Sequence, residues 1–340
     1  MDLGRVLVTG AAGFIGAAVS GRLLEVGREV VGLDDLNDYY PPRLKRARLA
    51  RLQDRAGFRF VHGDVADRDA VERVVAEARP GAVVHLAAQA GIRRALQDPY
   101  TYGRTNLMGF LHVAEASASA AVGHLLYAST SSVYGLNRDL PFREADPAQH
   151  PVSLYSATKV ADEAIAHSYA ATHGLPATGM RFYTVYGPWG RPDMAPISFA
   201  RAILAGQEIQ LYNGGNHSRD FTYVDDIVDA VVALVDRPPA ADAAFDARHP
   251  APATSSVPWR VLNVGGEHPV ALRDFVAALE RALGREARVR LAERQRGDMD
   301  DTAADCTALR ALTGWRARVG LDEGLAHLAR WCREHGELLA

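Results

Sequence analysis

The first half of the chain alternates short apolar, β-branched runs with longer stretches whose apolar positions recur every three or four residues. The runs at 5–9, 29–33, 58–62, 82–86, 124–128 and 177–182 predict strands. Nearly continuous apolarity suits a parallel sheet covered on both faces. Between the runs, 14–26, 68–77, 100–119 and 152–172 carry helical periodicity. Strand and helix in alternation predict an α/β fold with a Rossmann-type doubly wound parallel sheet.

After Gly187 the rhythm breaks, and Pro188, Pro192 and Pro196 punctuate a loop. A short helix (197–204), a strand (209–212) and a Gly-rich turn (213–216) follow, while a helix at 224–235 and a strand at 261–264 are placed to return to the first unit. The Ala- and Pro-rich stretch 238–258 reads as a surface excursion. Helices at 270–283 and 321–331 belong to a smaller mixed α/β C-terminal part. The expected division is 1–187, with returning segments about 221–265, against 188–220 and about 266–340. The basic stretch 43–55 reads as a solvated helix face.

Composition narrows the class. The chain has 340 residues, is 48% hydrophobic and 23% charged, and carries a formal net charge of −3, so no global basic field recruits nucleic acid. Cys306 and Cys332 have no metal-site spacing and build no disulfide framework, which predicts a reducing, cytoplasmic setting. No basic leader followed by an apolar stretch opens the chain, and no run approaches the roughly 20 apolar residues of a membrane helix.

The first strand runs into Gly10-Ala-Ala-Gly13-Phe-Ile-Gly16 ahead of a helix. Gly10 permits a tight turn, Gly13 a close backbone approach to a pyrophosphate, and Gly16 close helix–strand packing. The helix N-terminus then offers N–H groups to phosphates. Asp34 ends the next strand, where a carboxylate accepts ribose hydroxyls and repels a 2′-phosphate, so NAD is expected over NADP. Asp64 is placed either to accept from an adenine amino group or to cap the following helix. Ala87-Ala88-Gln89 ends the fourth strand with small residues, as a nearby cofactor requires, and His85 reads as a core-facing histidine.

Tyr155 and Lys159 are four apart on one helix face. A phenol with an ordinary pKa of about 10 needs neighbouring positive charge to serve as a base near neutrality, and Lys159 supplies it. Ser129-Thr130-Ser131-Ser132, at the end of the fifth strand, offers hydroxyls to a sugar.

The TGxxGFxG start, YASTSSVYG (127–135) and Tyr155-xxx-Lys159 resemble the extended short-chain dehydrogenase/reductases. Four stretches are similar to UDP-glucuronate 4-epimerases: HLAAQAGIR (85–93), SSVYG leading to HPVSLYSATK (150–159), RFYTVYGPWGRPDM (181–194) and RDFTYVDDIV (219–228). The resemblance runs from about Arg5 to Trp331. It implies a UDP-sugar substrate in the second unit, NAD in the first, and a homodimer paired through helices 100–119 and 152–172, with no nucleic acid, membrane or metal. By resemblance, Tyr155 takes the C4 hydroxyl proton, Lys159 supports it and holds the nicotinamide ribose, and Thr130 is the tyrosine's hydroxyl partner. The cofactor would also meet Phe14, Ile15, Asn37, Val65, Leu86, Asn106 and Ser129. Ser131, Ser132 and Thr184 would lie near the sugar carboxylate, and Arg191 would face that carboxylate or the mobile sugar. Arg93 would also meet the sugar nucleotide, Arg219 the diphosphate, and Gln210 and Tyr212 the uracil. Gln295 and Asp298 would reach the UDP ribose or phosphate. Arg296 replaces the Pro usual in that last segment, and Arg94 stands where an aromatic is common.

Sister enzymes share the first oxidation and diverge afterwards. Nucleotide-sugar 4,6-dehydratases carry an Asp-Glu pair where this chain has Ser131-Ser132, and UDP-glucuronate decarboxylases carry Glu where it has Ser132. The resemblance therefore implies C4 epimerisation of UDP-glucuronate to UDP-galacturonate. UDP-glucose/UDP-galactose 4-epimerase, decarboxylase and a non-catalytic NAD-sensing scaffold are the alternatives.

Overall fold

The computed structural model describes residues 3–339 except 295, 296 and 298, and omits the side chains of Ile92 and Arg93. In chain order the first elements are β1 (Val6–Thr9), α1 (Phe14–Glu25), β2 (Val30–Asp34), α2 (Pro42–Gln53), β3 (Phe58–His62), α3 (Arg68–Ala78) and β4 (Ala82–His85). Then come α4 (Ile92–Gln97), α5 (Pro99–Tyr102), a π-helical turn (Gly103–Met108), α6 (Gly109–Ser119), β5 (His124–Thr130), α7 (Leu154–His173), β6 (Ala177–Phe182) and β7 (Thr184–Tyr186). The chain continues through α8 (Ala195–Leu204), β8 (Glu208–Tyr212), β9 (Ser218–Tyr223), α9 (Val224–Val235), β10 (Trp259–Val264) and β11 (Pro269–Ala271). It ends with α10 (Leu272–Leu283), β12 (Arg288–Ala292), α11 (Thr307–Thr313) and α12 (Leu321–Glu334).

Seven parallel strands form the central sheet in the order β10-β6-β5-β4-β1-β2-β3. Strands β1, β2, β4 and β6 are buried along their whole length, which explains their unbroken apolar runs. Edge strand β3 alternates instead with half-exposed positions. The order reverses between β4 and β1, so the crevice beyond their C-terminal ends is where such a sheet binds ligands. Small sheets β11-β9-β7 and β12-β8 follow that crevice on the C-terminal side.

The helix expected at 100–119 is built in three pieces, with the π turn between α5 and α6. Strands β7, β9 and β12 were not foreseen: β7 is only three residues long, β9 opens on three polar residues, and β12 is a five-residue strand whose positions are mostly exposed. The solvated face expected at 43–55 holds for Arg43, Arg46 and Arg51 and is corrected for Lys45 and Arg48, which with Leu44, Leu49 and Leu52 form the buried side of α2. Two cations sit there because neighbouring carboxylates and carbonyls receive them, which periodicity of charge does not reveal. No helix among the described residues is long and apolar enough to cross a membrane.

Candidate active site

A single cavity of about 880 Å³ runs from the glycine-rich turn, past Tyr155, to β8 and Arg219. At its first end Gly10 has φ +70° and donates to Leu33 O at 2.8 Å. A Cβ on Gly10 would lie 2.8 Å from Ala87 N, and one on Gly16 would lie 2.0 Å from Gly10 O. Only glycine lets β1, the turn and the segment after β4 come this close. Gly13 caps α1 without a side-chain hydrogen bond, and no acidic residue occupies the first turn. The helix therefore presents its N–H groups and positive end to the cavity through Gly13, Phe14, Ile15 and Gly16.

Asp34 is almost fully buried. Its Oδ2 accepts from Ala12 N at 3.0 Å and its Oδ1 from Leu36 N at 2.8 Å. Burial raises its pKa, against the pull of Lys45. Two of its roughly four lone-pair directions remain for hydroxyls. An uncapped helix start, a glycine cradle and an inward carboxylate at the end of β2 fit NAD.

Asp64 accepts from Ala66 N at 2.9 Å and lies 3.5 Å from Arg104. The cap of α3 is Asp67, which accepts from Ala70 N, so Asp64 is left lining the cavity. Asn37, Val65, Leu86, Ala87, Ala88, Gln89 and Ser129 also line it. Asn106, expected at the cofactor, lies behind this lining. Its fully buried amide bonds Gln89 N and O and Thr158 Oγ1, so it shapes the segment after β4 from behind. The Ser129 hydroxyl turns away to Glu163, which also forms a bidentate pair with buried Arg181.

At the centre, Ser153 and Ser156 form a reciprocal capping box that starts α7 and places Tyr155 in its first turn. Lys159, one turn on, is 1% exposed and donates to Asp162 Oδ2 at 2.9 Å. Burial pulls Lys159 down, but Asp162 and Tyr155 outweigh it and raise its pKa, so it stays charged. Burial raises Asp162 to about 6 despite Lys159. His85 lies below them as a core residue, with Nδ1 2.8 Å from Thr9 Oγ1. Burial first, then Lys159, lowers its pKa to about 3, so the ring is neutral. Thr130, Ser131 and Ser132 line the cavity where β5 ends in a tight turn, the Thr130 hydroxyl accepting from Ser132 N at 3.2 Å.

The far end holds Thr184, Arg191, Gln210, Tyr212 and Arg219. Tyr212 donates to Gln210 Oε1 at 3.0 Å. Arg219 is steadied by the carbonyls of Ser218, Met299 and Asp300. Arg191 forms a bidentate pair with Asp193, at 3.1 and 2.5 Å, and lies over the Tyr39 ring at 5.5 Å. Its expected partner was the sugar carboxylate; the chain itself provides one, and a substrate carboxylate has to share the fork. Asp193 stands inside a motif quoted above, yet sequence spacing alone does not say which carboxylate a guanidinium meets. Tyr39, Lys45 and Asp193 are cavity residues that sequence reasoning missed. The calls on Gln295, Asp298 and the Arg93 side chain lie outside the described residues.

A profile described as NAD dependent epimerase/dehydratase family matches residues 6–246. A Rhizobium meliloti protein named probable UDP-glucuronate 4-epimerase is 45% identical over 331 residues, covering 96% of each chain. The crystal structure of a UDP-glucuronic acid 4-epimerase from Bacillus cereus, in complex with UDP-glucuronic acid and NAD, superposes with TM-score 0.87 at 28% identity. It spans 97% of this chain and 99% of that one. A Thermotoga maritima UDP-glucose 4-epimerase with UDP-glucose gives TM-score 0.84 at 28% identity, with 97% and 99% covered.

Proposed function

Because the chain belongs to the NAD dependent epimerase/dehydratase family, we propose that it inverts C4 of a UDP-hexuronic acid, interconverting UDP-glucuronate and UDP-galacturonate through a 4-keto sugar. The observation that carries this reading is the hydroxyl row Thr130-Ser131-Ser132 beside Tyr155 and Lys159 in one cavity with Arg191.

The glycine-rich turn and Asp34 would hold NAD, which when bound would supply a reversible hydride acceptor for C4. Tyr155 removes the C4 hydroxyl proton and gives it back to the ketone oxygen, so the cycle leaves no net proton. Lys159, kept charged by Asp162, stabilises the negative charge that develops on the phenol oxygen. Thr130 orients the hydroxyl. A 4-keto uronic acid is a β-keto acid and loses carbon dioxide when its carboxylate bond aligns with the ketone π system. Ser131, Ser132 and Thr184 hold the carboxylate out of that alignment by donating hydrogen bonds, and Arg191 adds charge. Serines at 131 and 132 offer no acid for water loss at C6. Arg219 binds the diphosphate, and Gln210 and Tyr212 flank the uracil.

In this reading residues 1–187 and about 221–265 carry the cofactor, and 188–220 with about 266–340 carry the UDP-sugar. Two copies pair through the helices of 100–119 (α5, the π turn and α6) and of 152–172 (α7), an arrangement that exposed Tyr100, Met108 and Leu154 support. The pairing of Arg191 with Asp193 favours a second reading, a neutral-hexose 4-epimerase, because the guanidinium needs no substrate carboxylate. Incubation with UDP-glucuronate, then with UDP-glucose, followed by product NMR decides. Uronate epimer without pentose supports the proposal. Turnover of hexose alone, or pentose as main product, refutes it.

A further inference from the structure

Helix α2 sends one cation inward with no carboxylate in hydrogen-bond contact among the described residues. Arg48 is 1% exposed, and each of its partners is a neutral oxygen. Nε and Nη2 donate to Trp189 O at 3.0 and 2.7 Å, and Nη2 also donates to Gly190 O at 3.1 Å. Nη1 donates to Ala12 O at 3.2 Å and to Tyr40 Oη at 2.6 Å. A buried guanidinium without a counter-ion is a poor way to fill space. Its planar fork is a good way to hold separate carbonyls in fixed relation.

The carbonyls it joins belong to two functional segments. Ala12 lies in the glycine-rich turn, and its N–H is held by Asp34. Trp189 and Gly190 directly precede Arg191. Trp189 has φ +65°, a left-handed conformation that bulky side chains rarely adopt, and its carbonyl receives two of the five bonds. The Trp189 ring is packed by Arg51, Trp331 and His335. Backbone and ring of Trp189 are thus both pinned, which directs the next side chain but one, Arg191, into the cavity.

We propose that Arg48 is a positioning residue that ties the Trp189–Arg191 turn to the glycine-rich turn, so that occupancy of the dinucleotide end stiffens the guanidinium facing the sugar. Arg48 touches neither ligand in this role and acts through Arg191. The inference rests on the uronate reading for its effect on selectivity, but its mechanical part does not.

Two arms test it. In the first, kcat/KM is measured for UDP-glucuronate and UDP-glucose in wild type, Arg48→Lys, Arg48→Gln, Arg191→Ala and the double variant Arg48→Lys/Arg191→Ala. Arg48→Lys keeps the charge but cannot span three segments. The uronate-to-hexose ratio should fall about tenfold, the scale of one lost charge-assisted bond. The double variant should be no less selective than Arg191→Ala alone. A merely structural Arg48 lowers Tm and leaves the ratio at its wild-type value; that result, or selectivity losses that multiply in the double variant, overturns the proposal. In the second arm, wild-type protein is saturated with ADP, which fills only the dinucleotide end, and amide hydrogen exchange is followed. Slowed exchange at Gly190 and Met194, whose amides bond Gly187 O and Arg191 O, supports the tie. Slowing confined to α1 overturns it. This arm decides alone if no Arg48 variant folds. It also decides if the wild type ignores UDP-glucuronate, in which case the proposed function fails separately.

Discussion

Replacing Asp162 with Asn tests whether the buried charge behind Tyr155 serves chemistry and not stability. The carboxyl is fully buried, bonds Lys159 through Oδ2 at 2.9 Å, and leaves Oδ1 without a partner among the described residues. Burial, opposed by Lys159, raises its pKa from 3.8 to about 6. The folded state therefore holds this proton more tightly than the unfolded chain does. Stability from the group is present below its unfolded value and is lost as pH rises through about 6. The displacement of about two pH units corresponds to about 3 kcal/mol, at about 1.36 kcal/mol per unit. Asn resembles the protonated carboxyl and does not titrate. Urea unfolding should thus find Asp162→Asn within about 1 kcal/mol of wild type near pH 4.5, and about 2–3 kcal/mol more stable at pH 8. Activity should respond in the opposite sense. Asp162 is among the groups that raise Lys159, so the alkaline limb of kcat/KM should move to lower pH in the variant. A variant less stable than wild type at pH 8 refutes the reasoning, as does an unmoved alkaline limb.

Tyr155→Phe should reduce kcat by about 10²–10⁴-fold while calorimetry finds UDP-sugar affinity within a few-fold, because the phenol acts in the transition state. Half-normal turnover in that variant excludes Tyr155 as the base. Asp34→Ala should weaken NAD and narrow its preference over NADP in competitive titration, as expected of a carboxylate placed to accept ribose hydroxyls and to repel a 2′-phosphate. Equal NADP binding by the wild type contradicts this. Arg191→Ala should shrink the uronate-to-hexose ratio of kcat/KM by about tenfold, the scale of a charge-assisted bond of roughly 1.5–3 kcal/mol, and release more UDP-pentose. The loss includes a new repulsion, because Asp193 is left without its partner beside the substrate carboxylate. An unchanged ratio returns Arg191 to a structural role.

The parallel sheet was legible along the chain because its central strands are buried on both faces and so must be apolar throughout. The glycine turn was legible for a similar reason: at Gly10 and Gly16 an added carbon would strike backbone, so the constraint is local to the residue type. Tyr155 and Lys159 were readable because helical spacing fixes their common face. Strand β9, by contrast, exists through pairing with β7 and β11, partners far along the chain, and its own residues carry no alternation that announces it. Sequence misplaced the side chains of Arg48 and Lys45, and it did not name the hydrogen-bond partners of Asn106. A polar residue's role depends on which donor or acceptor the fold brings to it. For Asn106 that is the Gln89 backbone, and for Arg48 it is three carbonyls and a phenol from three segments. The pairing of Arg191 with Asp193 and the burial that raises Asp162 are likewise products of packing. Local sterics and burial of apolar surface are written in residue order; the partners of buried Arg48 and Asn106 are decided only when distant segments meet.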